Sequence, residues 1–152
     1  MLMSLAGTAA VIVVLGVLSQ GKLNTTEYDG EITLDETKFN LEIADTEEER
    51  RTGLSNREKL DKDVGILFVF ETENIQPGFW MKDMKIPIDI VWINDEKIVG
   101  IEKDLQPVKE DVPDNELTLY KPDQPIDYVL EINGGLTEEH EIEVGDSVNL
   151  EI

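Results

Sequence analysis

Two stretches of the chain are apolar on both faces, and the rest of the pattern falls around them. Val64-Gly65-Ile66-Leu67-Phe68-Val69-Phe70 and Ile88-Asp89-Ile90-Val91-Trp92-Ile93 predict central strands covered on each side. Side chains alternate along a strand, so Ile88, Ile90 and Trp92 share one face while Asp89, Val91 and Ile93 share the other. The preceding run, Pro77-Gly78-Phe79-Trp80-Met81-Lys82-Asp83-Met84, predicts a further strand joined to the second at Lys85-Ile86-Pro87. Pro87 fits a strand start or edge, because proline cannot donate to a ladder.

Shorter alternating runs flank these. Residues 31–34 and 38–44 predict two strands around Asp35-Glu36, with Phe39, Leu41 and Ile43 on the core face of the second. Asn94-Asp95-Glu96-Lys97 predicts a hairpin into residues 98–102. Residues 126–132 and 147–152 predict two more strands, the first ending at the turn Asn133-Gly134-Gly135. Thr46-Glu47-Glu48-Glu49 is a capping-box signature that opens a short helix, with Arg50 and Arg51 at its far end and Gly53 as a left-handed stop. Ser55-Asn56-Arg57-Glu58 repeats the signature and predicts a second helical turn to Leu60, and residues 137–140 predict another. Residues 103–125 carry four prolines and no clear period, with Leu117, Leu119 and Tyr120 expected to pack down. About eight short strands with one or two short helices predict a mainly β fold, a single compact β-sandwich or barrel-like domain.

That domain occupies residues 31–152, behind a polar tether at 20–30 and an apolar segment at 1–19. The apolar segment is short for a span of about 20 residues, and lacks the basic start of a secretory signal. It is expected to serve as an N-terminal membrane anchor, or as a leader of a secreted protein where it is cleaved, with the domain outside the cytoplasm. Charge sharpens the picture. The 152 residues carry 34 acidic and 13 basic side chains, a net charge of −21, and none of these charges precedes Lys22. Such a surface lacks the basic footprint of a nucleic-acid binder and is repelled by anionic lipid headgroups, so membrane contact is expected through residues 1–19 only. With no cysteine, disulfides, thiolate metal sites and a cysteine nucleophile are excluded.

The same segments carry a family resemblance. Ala44-Asp45-Thr46 with Glu49-Arg50, Gly53-Leu54-Ser55-Asn56-Arg57, Gly65-Ile66-Leu67-Phe68-Val69-Phe70, Phe79-Trp80-Met81-Lys82 and Ile86-Pro87-Ile88-Asp89-Ile90 form its core. Tyr128-Val129-Leu130-Glu131-Ile132-Asn133-Gly134-Gly135 and Gly145-Asp146 complete it. From Leu41 to Val148 the chain resembles the bacterial and archaeal family called domain of unknown function 192, also uncharacterised protein family 0127. The resemblance implies a compact, mostly β single domain, often behind a signal peptide, and no established activity. Two positions depart from it: Ser55 stands where methionine is common, and Asp83-Met84 where Asn-Thr is common.

Polar residues embedded among apolar neighbours are the candidate site: Arg57, Lys82, Asp83, Asp89, Glu131 and Asn133, with Trp80 as a stacking surface. A carboxylate such as Asp89 within an apolar strand must be paired or hydrogen-bonded. Its structural role would be to cap a turn or pair with Arg57; its functional role would be that of a group with a shifted pKa. Were Asp89 and Glu131 to share a cleft, one could ionise while the other kept its proton, as general acid–base work requires. With Asp83 they have the oxygen chemistry of a hard-cation site, but acidic residues are so abundant that no metal or other cofactor is assigned. Phe79, Trp80 and Trp92 fit a core; an exposed Trp80 beside Lys82 would instead suit a sugar or an anionic small molecule. His140, in an acidic turn, is expected to be exposed and inert.

There is no nucleophile elbow, Gly-rich phosphate loop or paired-histidine motif. The expected function is a non-catalytic module that binds a small ligand or a protein. The alternatives are a hydrolase- or lyase-like enzyme using Asp89, Glu131 and Arg57, and a purely structural domain.

Overall fold

The computed structural model describes residues 27–109 and 112–152, so the apolar segment at 1–19 and most of the tether lie outside the described residues. Among those described, no helix is long and apolar enough to cross a membrane. Seven strands form one sheet: β1 (Gly30–Leu34), β2 (Thr37–Ala44), β3 (Val64–Val69), β4 (Ile88–Asn94), β5 (Lys97–Leu105), β6 (Tyr128–Asn133) and β7 (Val148–Glu151). Their order is β5-β4-β6-β3-β2-β1-β7, with β2 and β3 parallel and every other pair antiparallel. The sheet curls until its outer strands meet at one end. Lys97 bridges Ser147, Ile98 donates to Asp146 at 3.0 Å, and Val148 donates to Glu96 at 2.8 Å. The mainly β, barrel-like expectation therefore holds, as a half-barrel with two short helices, α1 (Glu47–Thr52) and α2 (Leu136–Glu139).

The two apolar runs sit where their patterning requires, as interior strands with a neighbour on each side, and each face of the sheet has its own core. Val91, Ile93, Leu67, Leu130 and Ile132 pack on one side with Ile32, Phe39 and Leu41. Ile88, Ile90, Trp92, Ile66, Phe68 and Val129 form the other core. Loops rather than a second sheet cover that face, contributing Leu54, Met81, Met84, Ile86, Ile126 and Tyr120.

Local chemistry sets the connections. The α1 capping box forms as the sequence predicts, with the Thr46 hydroxyl accepting from Glu49 N–H and the Glu49 carboxylate accepting from Thr46 N–H. Gly53 ends the helix at φ 45° and ψ −126°, a glycine region but not the left-handed helical one expected. The β4–β5 hairpin turns at Asp95 and Glu96, both at positive φ, as a tight primed turn demands.

Two expectations fail for local reasons. The Ser55–Leu60 stretch forms turns, not a helix, because Asn56 takes φ 63° and Ser55 Oγ donates to Lys82 O at 3.1 Å instead of capping. Residues 79–84 do not form a strand. Phe79 makes one bridge to Tyr120, and Asp83 turns the chain at φ 56°. Met81 and Met84 are nevertheless buried, so the segment contributes apolar cover without a ladder. Leu119, expected to pack down, is exposed.

Candidate functional site

Strand register separates the two carboxylates that the sequence singles out. Ile90 pairs with Glu131 and Asp89 with Ile132 across β4 and β6. Cross-strand partners point to the same side, so Glu131 joins the Ile90 face and Asp89 the opposite one. They share no cleft. Both lie deep, Asp89 at 0% and Glu131 at 5% exposure, but their surroundings differ completely.

Asp89 is saturated. Its Oδ1 accepts from Asp104 N–H at 2.7 Å and Gly135 N–H at 2.9 Å, while Oδ2 accepts from Thr137 N–H at 2.8 Å and Thr137 Oγ1 at 2.7 Å. The β4–β5 register slips beside it, and Asp104 sits at φ 48°. Asp89 thus caps a β-bulge and the start of α2 together, which is the turn-capping role with several partners at once. Arg57 is not among them. It lies on the other face and makes a two-pronged pair with Glu42, at 2.8 and 2.5 Å, lowering the Glu42 pKa and raising its own. The Asp89–Arg57 pair does not form, nor does a cleft joining Asp89, Glu131 and Arg57. Asn133 is also spoken for, donating to Leu60 O at 3.0 Å and Asp61 O at 3.2 Å. Asp83 lies apart on an exposed turn, and among the described residues no group of three His, Cys, Asp or Glu side chains could hold a metal ion.

Among the described residues two buried side-chain atoms lack a hydrogen-bond partner, Trp92 Nε1 and Glu131 Oε2, and of the two only Glu131 lines a pocket. Its Oε2 is buried and has no hydrogen-bond partner. Burial disfavours the charged form and pushes its pKa up to about 8, so at neutral pH the carboxyl keeps its proton. It forms the floor of a pocket of about 290 Å³ between the end of α1 and residues 77–80. Phe68, Phe79 and Trp80 wall that pocket with Gly53 and Ser55, and Arg50 stands at its rim. The rings interlock edge to face: Phe79 meets Phe68 at 4.9 Å and Trp92 at 5.6 Å between centroids. Trp80 is 42% exposed, with Lys82 Nζ 5.4 Å from its ring and paired to Asp114 at 2.6 Å. Gly53 keeps the floor open, since a Cβ there would stand 3.7 Å from Glu131 Oε2 and 3.1 Å from Phe68 Cζ. Backbone bonds fix both walls. Asn56 N–H donates to Asp83 O at 2.8 Å, and Phe79 exchanges two 2.8 Å bonds with Tyr120.

A wider hollow of about 650 Å³ on the other side of α1 is lined by Glu42, Glu48, Glu49 and Arg57. Its only cation is already neutralised by Glu42.

Of the sequence-predicted residues, the structure brings Glu131 and Trp80 into one pocket, with Lys82 close to the Trp80 ring but outside the lining. Arg57, Asp83, Asp89 and Asn133 lie elsewhere. Arg50, Gly53, Ser55 and Phe68 line the pocket without having been candidates. Arg50 and Gly53 carried helix-end signals and Phe68 a core signal, and nothing in those patterns announces a pocket.

No curated protein matches the chain. Among solved structures, it is similar to a protein of unknown function from Novosphingobium aromaticivorans. That match has 31% identity over 78% of this chain and 83% of that one, at a TM-score of 0.69. It is also similar to a Sinorhizobium meliloti protein described as a candidate transcription regulator. Here identity is 26% over 83% of this chain and 97% of that one, at a TM-score of 0.70. The family model for domain of unknown function 192, described as "Uncharacterized ACR", matches residues 30–150, and the chain belongs to that family.

Proposed function

We propose that this chain is a non-catalytic binding module that takes a small molecule in the pocket over Glu131. Residues 1–19 hold it to the membrane, or lead it to secretion where they are cleaved, with the domain outside the cytoplasm. The observation that carries the reading is the orphaned Glu131 oxygen at the floor of an aromatic pocket. Leaving a buried polar atom unpaired costs about 1–3 kcal/mol, and a ligand that completes the bond recovers it. A hollow with aromatic walls and a few polar groups is the usual form of a small-ligand site, and its volume of about 290 Å³ lies just under the roughly 300–1,000 Å³ such sites have. Asp89, the carboxylate that acid–base work would pair with Glu131, faces the other side of the sheet, which favours binding over catalysis. The regulator description of the Sinorhizobium meliloti protein does not carry over readily, because a net charge of −21 opposes contact with DNA.

A small-molecule library screened by NMR on the full-length chain tests this. Binders are expected to shift the Trp80 indole signal, and Trp80→Ala is expected to abolish their binding while leaving the melting temperature nearly unchanged. A library whose binders are indifferent to Trp80→Ala would sink the proposal.

A further inference from the structure

The lining of the pocket narrows the class of molecule it holds, granted that it is the binding site. Ile66, Phe68 and Ile90 flank Glu131 within the sheet, and residues 77–80 are uncharged, so the charged groups facing the pocket all come from α1: Glu47, Arg50 and Arg51. None is bonded to the Glu131 carboxyl, and burial alone displaces its titration. A carboxyl that keeps its proton offers one donor and one acceptor side by side. The group that best answers both is a hydroxyl.

The charged alternatives fit less well. A carboxylate or phosphate at this floor would be a buried anion with the Glu131 proton as its one free donor, because Arg51 is paired with Glu47 and Arg50 donates to the Asp45 and Val69 carbonyls. An ammonium would meet two guanidinium groups against one carboxylate in the lining, and the Trp80 ring already carries the Lys82 ammonium. A neutral ring meets neither difficulty. Trp80, half-exposed and in the pocket lining, offers a stacking surface for the C–H face of such a ring, and 290 Å³ is room for about one ring. We propose that the pocket over Glu131 binds a neutral, hydroxyl-bearing ring of monosaccharide size, with its apolar face on Trp80 and one hydroxyl hydrogen-bonded to the Glu131 carboxyl. This rests on the small-ligand reading of the same pocket.

The test follows the two tryptophan indole N–H signals of the full-length chain, with buried Trp92 as the internal control. Glucose, galactose, xylose and N-acetylglucosamine are titrated beside benzoate and benzylamine. At least one sugar is expected to shift Trp80 and saturate. Glu131→Leu, which leaves the pocket apolar, is expected to weaken that sugar about tenfold, the worth of one buried hydrogen bond, while Glu131→Gln largely retains it. A melting curve for each variant separates lost binding from lost fold. Benzoate or benzylamine shifting Trp80 while no sugar does would overturn the ligand class and leave the pocket reading standing. Sugar binding unchanged in Glu131→Leu would overturn the role of the carboxyl. Trp80 unmoved by every probe would overturn both.

Discussion

Replacing Glu131 with glutamine should stabilise the protein, by an amount that grows with pH. The folded carboxyl loses its proton near pH 8 and an unfolded one near 4.5. Below about pH 4.5 both states are protonated, and the residue contributes no pH dependence. Between the two values the unfolded chain ionises while the folded one holds its proton, so stability falls as pH rises; above about 8 both are ionised and the loss is complete. At about 1.4 kcal/mol per tenfold change in proton affinity, the full gap is worth about 5 kcal/mol, of which about 3 kcal/mol applies at pH 7. Glutamine copies the shape of the protonated acid and cannot ionise, so it removes this term and leaves only a constant offset. Urea denaturation followed by circular dichroism at about pH 5, 7 and 9 reads the difference between the two proteins. With a slope of about 1–3 kcal/mol per molar, the variant's midpoint at pH 7 should lie roughly 1–3 M higher. The other carboxylates titrate alike in both proteins and cancel in the difference. A gap between the curves that stays constant from about pH 5 to 9 would refute the account of Glu131 as a desolvated, protonated acid.

Asp89→Asn should behave in the opposite way, losing about 3 kcal/mol or more at neutral pH. Whichever way the amide turns, its NH₂ faces at least one backbone N–H that now bonds a carboxylate oxygen; a loss below about 1 kcal/mol in the same urea assay would contradict that role. Arg57→Ala breaks an ion pair more than one-third exposed, and solvent screening limits the cost to about 0–1 kcal/mol. A thermal melt lowered by much more would mean that Arg57 holds the fold together in some way its Glu42 contact does not account for.

The residues that carry the fold were legible because their pattern is local. Alternation within β4 and β6 assigns each side chain a parity, and capping chemistry at Thr46 and Glu49 acts over one turn of chain. Apolar runs at 64–70 and 88–93 could be satisfied only by cover on both faces, which placed them inside the sheet rather than at its edges. What the local pattern lacks is an absolute direction. Residues 79–84 have the composition of a strand, yet Met81 and Met84 are buried by a turning loop, since burial rewards contact with the core whatever the backbone does.

The sequence by itself determined a mainly β domain with two buried carboxylates, an aromatic segment and a strongly acidic surface. Only the tertiary structure decided which of these meet. The pairing of Ile90 with Glu131 set the carboxylates on opposite faces, and a register slip of one residue would have reversed that. Asp89 found its four donors on a bulge and a turn far along the chain, Arg57 found Glu42, and Glu131 was left unpaired in the pocket it shares with Trp80. Strand order and register arise from contacts between distant parts of the chain, and whether a buried polar atom is satisfied depends on those contacts rather than on its neighbours in sequence.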